Sequence, residues 1–195
     1  WKRYKDLWED DKDTFIRRYA NANYPLEKYI MDIKMYNQHQ ENVEGELVSL
    51  NEHCVKIDQS LLKQALIEHC LQWKSKIAKL LNKNSKETLD DIYVMLSSNT
   101  KILTTTPENL DVLASNVKLL ENLKSELPQI EASFEPLEAQ YTALKDFEVT
   151  VPEEELASLA NLRTAFDEFK TMLEGASTDL DSGKKSFKKG LERDV

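Results

Sequence analysis

Glycine and proline are scarce in this chain: 4 Gly and 5 Pro punctuate 195 residues. A β-sandwich or barrel turns every roughly 8–12 residues and draws heavily on both residue types, so the shortage argues for long helices with few connections. Cysteine is scarce too. Cys54 and Cys70 make at most one pair, too little for a disulfide framework and in keeping with a reducing compartment. Positive charge is in deficit, with a formal net charge of -9. Double-stranded nucleic acid and anionic membrane surfaces both select a net basic face, so neither is an expected partner. No apolar run approaches the ~20 residues of a bilayer span, and no targeting segment is read at either end. The chain starts at Trp1 rather than Met, which we read as an internal segment of a longer polypeptide.

What is present is a globular or coiled-coil balance, 41% hydrophobic and 31% charged, too apolar for a disordered chain. Trp1, Tyr4, Trp8, Phe15, Ile16 and Tyr19 recur mostly at steps of three or four, which predicts one helix to about Tyr19. Pro25 restarts the pattern, and Leu26, Tyr29, Ile30, Ile33 and Tyr36 line a second helix ending near Gly45. Leu47 to Ile57 lacks a helical stripe and reads as a connector with extended character. Asp58 is a good N-cap for a third helix, carrying Leu62, Ala65, Leu66, Leu71, Trp73, Ile77, Leu80 and Leu81. A break over Asn82 to Ser85 is expected, with Ser85 capping a fourth helix that runs to about Leu103.

Thr104 to Pro107 reads as a boundary, Thr106 as N-cap and Pro107 as the first helical residue. Leu110, Leu113, Val117, Leu120, Leu123 and Leu127 then form a coiled-coil-like seam. Pro128 and Pro136 should kink or interrupt it. After a connector over Val149 to Pro152, Glu153, Glu154 and Glu155 suit the positive end of a last helix lined by Leu156, Leu159, Leu162, Phe166, Phe169 and Leu173. Gly175 and Gly183 should weaken that helix, and its basic end, Lys184 to Arg193, should fray. The expected fold is all-α, an elongated helical bundle with antiparallel coiled-coil-like helices. The division at the boundary gives residues 1–103 as a compact bundle and residues 104–195 as a long Pro-kinked antiparallel helix pair.

Chemical motifs fail on inspection. Ser182-Gly183-Lys184-Lys185-Ser186 would need Gly at 178 and Ser or Thr at 185 to make a phosphate loop, and holds Thr178 and Lys185 instead. Glu52-His53-Cys54 and Glu68-His69-Cys70 supply zinc-ligating types, but helical neighbours diverge and chelate one ion poorly. A di-iron bundle needs Glu-x-x-His on two helices; Tyr36, Leu50 and Leu66 precede the three histidines by that spacing. No catalytic, cofactor or metal residue is therefore assigned. Trp1, Tyr4 and Trp8 read first as core and second as a partner-docking face, since Trp and Tyr are favoured in interface hot spots.

Specific segments carry a family resemblance. Trp1-x-x-Tyr4-x-x-Leu7-Trp8 with Phe15, Ile16, Arg18 and Tyr19 resembles a recurring segment of dynein heavy-chain tails. So do Val55-x-Ile57-Asp58 with Leu61-Leu62-x-x-Ala65-Leu66 and Trp73, the stretch from Ile130 to Phe147 with Glu135-Pro136-Leu137, Tyr141 and Leu144, and the helix from Glu153 to Phe169. The similarity covers nearly the whole chain and looks axonemal rather than cytoplasmic. It implies a tail segment ahead of the linker and motor ring of an ATP-driven microtubule motor, without catalysis or cofactor of its own. It also implies protein partners (intermediate chains, other heavy chains or docking proteins) and a place in the cytoskeleton of the ciliary axoneme. A spectrin-like or other coiled-coil adaptor is the alternative, and a helical-bundle metalloenzyme a distant third.

Overall fold

The computed structural model describes residues 1–193, with side chains described for all of these except Glu52 and residues 186–193. The described residues are all-α apart from one small hairpin. A 3-10 turn at Lys2–Tyr4 leads into α1 (Asp6–Glu9), α2 (Lys12–Ala22) and α3 (Leu26–Glu44). The antiparallel pair β1 (Ser49–Glu52) and β2 (Val55–Asp58) follows. Then come α4 (Ser60–Thr104), α5 (Leu110–Ala132), α6 (Phe134–Asp146) and α7 (Glu153–Arg193).

Several boundaries differ from the sequence reading, each for a local reason. The first expected helix is split, because Asp10 is extended and Asp11 caps α2 by accepting the Thr14 N–H at 3.0 Å. The break at Asn82 to Ser85 does not occur. Ile77, Leu81, Ser85 and Leu89 fall on one stripe at steps of four, and all are buried. The Ser85 hydroxyl is satisfied inside that stripe, 2.9 Å from the Leu81 carbonyl oxygen and 2.8 Å from Gln140 Oε1. Asp58 is the last residue of β2 rather than the N-cap of α4, a position that Gln59 holds, but its carboxylate still accepts the Ser60 N–H at 2.9 Å.

Thr106 and Pro107 do not open α5. Asn109 does, accepting the Val112 N–H at 2.9 Å. Pro128 lies inside α5 without ending it; it sits on the exposed side, where water can hydrate the carbonyl it leaves unpaired. Pro136 falls in the first turn of α6, where no intrahelical donor is needed, and the interruption expected of it is the one-residue gap at Ser133. Helical backbone continues through Gly175 and Gly183 to Arg193. The side chains of the basic end from residue 186 on lie outside the described residues.

The packing forms two compact units, grouped differently from the division at Thr104 to Pro107: Trp1–Ser85 with Gln140–Thr150, and Lys86–Ala139 with the chain from Val151 on. The first has an aromatic core. Trp73 is its centre: its indole N–H donates to the Leu7 carbonyl at 3.0 Å, Tyr36 stacks on it at 5.5 Å and Phe15 meets it edge-on at 5.0 Å. The C-terminus of α6 closes this unit with Glu148 in the left-handed region (φ 56). The Glu148 N–H returns to Lys145 and the Val149 N–H to Leu144, which satisfies the last carbonyls of the helix.

The second unit is built on leucine and phenylalanine. Leu113, Leu120 and Leu123 of α5 and Leu162, Phe166, Phe169, Leu173 and Leu180 of α7 are all buried. The two helices run antiparallel. Leu113 lies against Gly183, Lys124 bonds Ser177 and Glu131 pairs with Lys170, so the partner number falls as the α5 number rises. Phe134 of α6 meets Phe166 edge-on at 5.0 Å.

Two substitutions test this packing. Phe166→Ala removes a fully buried ring and should cost about 3–5 kcal/mol in urea unfolding. At Gly175 an added methyl would meet nothing within 4 Å. Gly175→Ala should therefore stabilise by about 0.5–1 kcal/mol, raising the urea midpoint without changing the slope.

Candidate functional site

The three residues read as a docking face do not share one exposed surface. Tyr4 is 3% exposed and belongs to the core, while Trp8 is 42% exposed. Trp1 is half-buried and donates its indole N–H to Gln59 Oε1 at 2.6 Å. The 3-10 geometry of Lys2–Tyr4 and the break before α2 turn these side chains away from the single helical stripe that their spacing suggests.

The residues of zinc-ligating type are separated by environment. His53 and Cys54 form the exposed hairpin turn, with His53 at φ 52. Cys70 is buried, and burial pushes its thiol above the ordinary value. His69 accepts from the Lys12 ammonium at 2.8 Å through Nδ1. Among the described residues, no three His, Cys, Asp or Glu side chains converge as a metal would require.

Other polar groups in the first unit serve structure. Asp32 is buried, and its carboxylate accepts from the Tyr19 hydroxyl at 2.8 Å and from Lys28 at 2.7 Å. Burial, then the hydrogen bond to Asp32, raises the Tyr19 hydroxyl far above the tyrosine range, so it remains a neutral donor. Burial likewise pushes Tyr36 up to about 12. A groove of about 780 Å³ runs past Ile33, Leu71, Lys74, Asn82, Phe147 and Val149. Its volume is that of a ligand site, but its polar groups do not converge on one. Lys74 is engaged by Asn37 and Gln40 at 2.7 and 2.6 Å. The Asn82 Oδ1 is buried with no hydrogen-bond partner.

The surface that the sequence reading left undescribed is the hairpin. Ser49 pairs with Asp58, Leu50 with Ile57 and Asn51 with Lys56. Strand side chains alternate between faces, so Leu50, Val55 and Ile57 share one face with Val48 beside them. Ser49, Asn51, Lys56 and Asp58 share the other. The apolar face is open to solvent, Val55 being 60% exposed. The signal was the period-two alternation on either side of His53-Cys54, two short runs joined by a two-residue turn. What the structure offers at this face is exposed apolar surface.

Residues 75–194 match the family model described as dynein axonemal heavy chain 2/5/8 coiled-coil. The chain is 34% identical over 191 residues to dynein axonemal heavy chain 2 of Mus musculus, covering 98% of this chain and 4% of that protein. It is 35% identical over 191 residues, with the same coverage of each, to the dynein-1-beta heavy chain of the flagellar inner arm I1 complex of Chlamydomonas reinhardtii. The human dynein axonemal heavy chain 2 is 31% identical over 98% of this chain and 4% of its own length. The chain belongs to the axonemal dynein heavy-chain family, and its residues 75–194 correspond to the coiled-coil region. It spans about 4% of the length of these relatives.

The Lys12–His69 contact yields a pH prediction. An ammonium has no acceptor, so His69 must be neutral at Nδ1. Burial first, and Lys12 second, lower its pKa from the ordinary 6.5. Below pH 6.5 the unfolded chain binds a proton that the folded chain resists; the stability contributed is complete above that pH and is lost as pH falls through it. Chemical unfolding against pH should show this decline, and His69→Gln, which keeps an acceptor but cannot titrate, should flatten it.

Proposed function

We propose that this chain is a non-catalytic tail element of an axonemal dynein heavy chain, holding shape, transmitting force and offering surfaces for assembly in the ciliary axoneme. The observation that carries the reading is the antiparallel α5–α7 seam. Its apolar side chains are buried on α5 from Leu113 to Leu123 and on α7 from Phe169 to Leu180, and the Lys170–Glu131 ion pair flanks it. A seam of this kind resists deformation because core side chains are close-packed and any displacement costs contact area. It supplies no reacting group.

On this reading the parent motor hydrolyses ATP elsewhere, and this segment needs no cofactor. Its partners are proteins: other dynein subunits, among them intermediate chains, neighbouring heavy chains or docking proteins. Recognition by packed surface fits the bulk charge, since neither nucleic acid nor an anionic membrane would be drawn to a chain of net charge -9.

The test separates scaffold from motor. Leu123→Asp with Phe169→Asp places unpaired charges in the buried seam, at a cost of several kcal/mol, roughly 2 or more for each. Introduced into the heavy chain that carries this segment, the pair should abolish incorporation into axonemes while the ATPase of the extracted motor is unchanged. Normal incorporation with a lost ATPase would overturn the proposal.

A further inference from the structure

We propose that Thr106 is an acceptor site for a proline-directed serine/threonine kinase. Thr106-Pro107 reads as a helix start in the sequence, but Asn109 opens α5, so the pair has no part in capping. It stands in the loop from Thr105 to Asn109 that joins α4 to α5. Pro107 alone among the prolines of the chain follows a serine or threonine; Tyr24, Leu127, Glu135 and Val151 precede the others. A threonine followed by proline is the minimal unit such kinases read. The structure adds three conditions that a buried or helical copy of the motif would fail.

The first is access: Thr106 is exposed, on a surface loop between two long helices. The second is a free hydroxyl. The Thr104 hydroxyl donates to the Thr100 carbonyl and the Thr105 hydroxyl to the Lys101 carbonyl, each at 2.8 Å, which ties both to the last turn of α4. Among the described residues the Thr106 hydroxyl has no such partner, so its proton can be passed to a base. The third is backbone. Kinases take the acceptor segment in an extended form, and the ring of Pro107 pushes Thr106 out of the helical region towards it. Among the described residues, none of the N–H groups of Thr106, Glu108 and Asn109 donates to another backbone group. The loop can therefore lie in a cleft without breaking a ladder. Pro107 itself has no N–H, so a pocket without an acceptor takes it at no cost, where any other residue would leave a donor unpaired.

The step is phosphoryl transfer from ATP. The Thr106 Oγ1 attacks the γ-phosphorus as the bond to ADP breaks, and the hydroxyl proton goes to the kinase's catalytic carboxylate. Phosphothreonine and ADP result, with no change of oxidation state. The phosphate adds about −1.5 to −2 charges at pH 7. It stands in solvent ahead of the N-terminus of α5, the end where a helix favours negative charge. The buried residues on either side, Leu103 and Leu113, keep their packing. The rival acceptor is Thr105, which has Glu108 at the spacing that acid-directed kinases use. Its hydroxyl is the one held by Lys101, which favours Thr106.

The test uses the full heavy chain that carries this segment, ATP and two purified kinases, one proline-directed and one directed by acidic residues. Trypsin cuts after Lys101 and Lys118, so residues 102–118 form one peptide whose phosphate can be placed by fragmentation in a mass spectrometer. The proline-directed kinase should modify Thr106 in the folded chain. Thr106→Val should abolish that modification, and Thr106→Ser should restore it, which separates loss of the acceptor from misfolding. Pro107→Ala should slow it at least about tenfold, because the alanine N–H is left unpaired in a pocket made for proline. A synthetic peptide of residues 102–118 should be modified at a similar rate. Modification of the peptide but not of the chain would mean that the fold hides the loop, and overturns the proposal. So would an unmodified Thr106 in both, phosphate on Thr105 from the acid-directed kinase alone, or an undiminished rate in Pro107→Ala. None of these substitutions touches the α5–α7 seam, so failure here leaves the incorporation experiment to judge the tail assignment separately.

Discussion

The structure depends on one constraint above others: α4 must bury an apolar stripe along its whole length. Apolar residues every three or four positions lie on one helical face, and only tertiary burial makes so long a helix stable in water. In the first unit that stripe offers Leu66, Trp73, Ile77 and Leu81, and in the second Leu89, Ile92 and Leu96. Ser85 occupies one position of the stripe with its hydroxyl satisfied, so the stripe passes through it without an orphaned donor.

The two units answer the constraint with different side chains. Trp73 gathers Leu7, Phe15 and Tyr36 by hydrogen bond, edge contact and stacking, so short and irregular elements are fixed on one large ring. In the second unit α5 buries leucines and α7 leucines and phenylalanines, with the Lys170–Glu131 pair joining the two helices. Pairs of this kind set register and contribute little to stability. Burial holds the helices together, and several of the large apolar residues left exposed fall on the hairpin.

Much of this was legible in the sequence because helical periodicity and turn residues are local signals. The all-α class, the Pro25 restart, the leucine seam from Leu113 and the acidic start of α7 at Glu153 all follow from spacing and end chemistry. The dynein resemblance added the family, which the comparisons bear out. The misses are competitions that local rules cannot decide. Ser85 reads as a cap, but Leu81 and Leu89 hold it inside a buried stripe. Thr106-Pro107 and Asn109 are both good starts, and the structure uses Asn109. Trp1, Tyr4 and Trp8 read first as core, yet Tyr4 is buried and Trp8 exposed, because spacing does not tell core from surface. The hairpin face was only half visible: alternation shows which side chains group together, but not that the group is left uncovered.

The account's central claim is that these 195 residues work as part of a very large axonemal polypeptide rather than as a free protein. An antibody raised to this segment, used to size the native antigen in isolated cilia and in non-ciliated cells, tests it most directly. The account expects a polypeptide of heavy-chain size confined to cilia. An antigen close to the 22.6 kDa of this chain, present in every cell type, would contradict it.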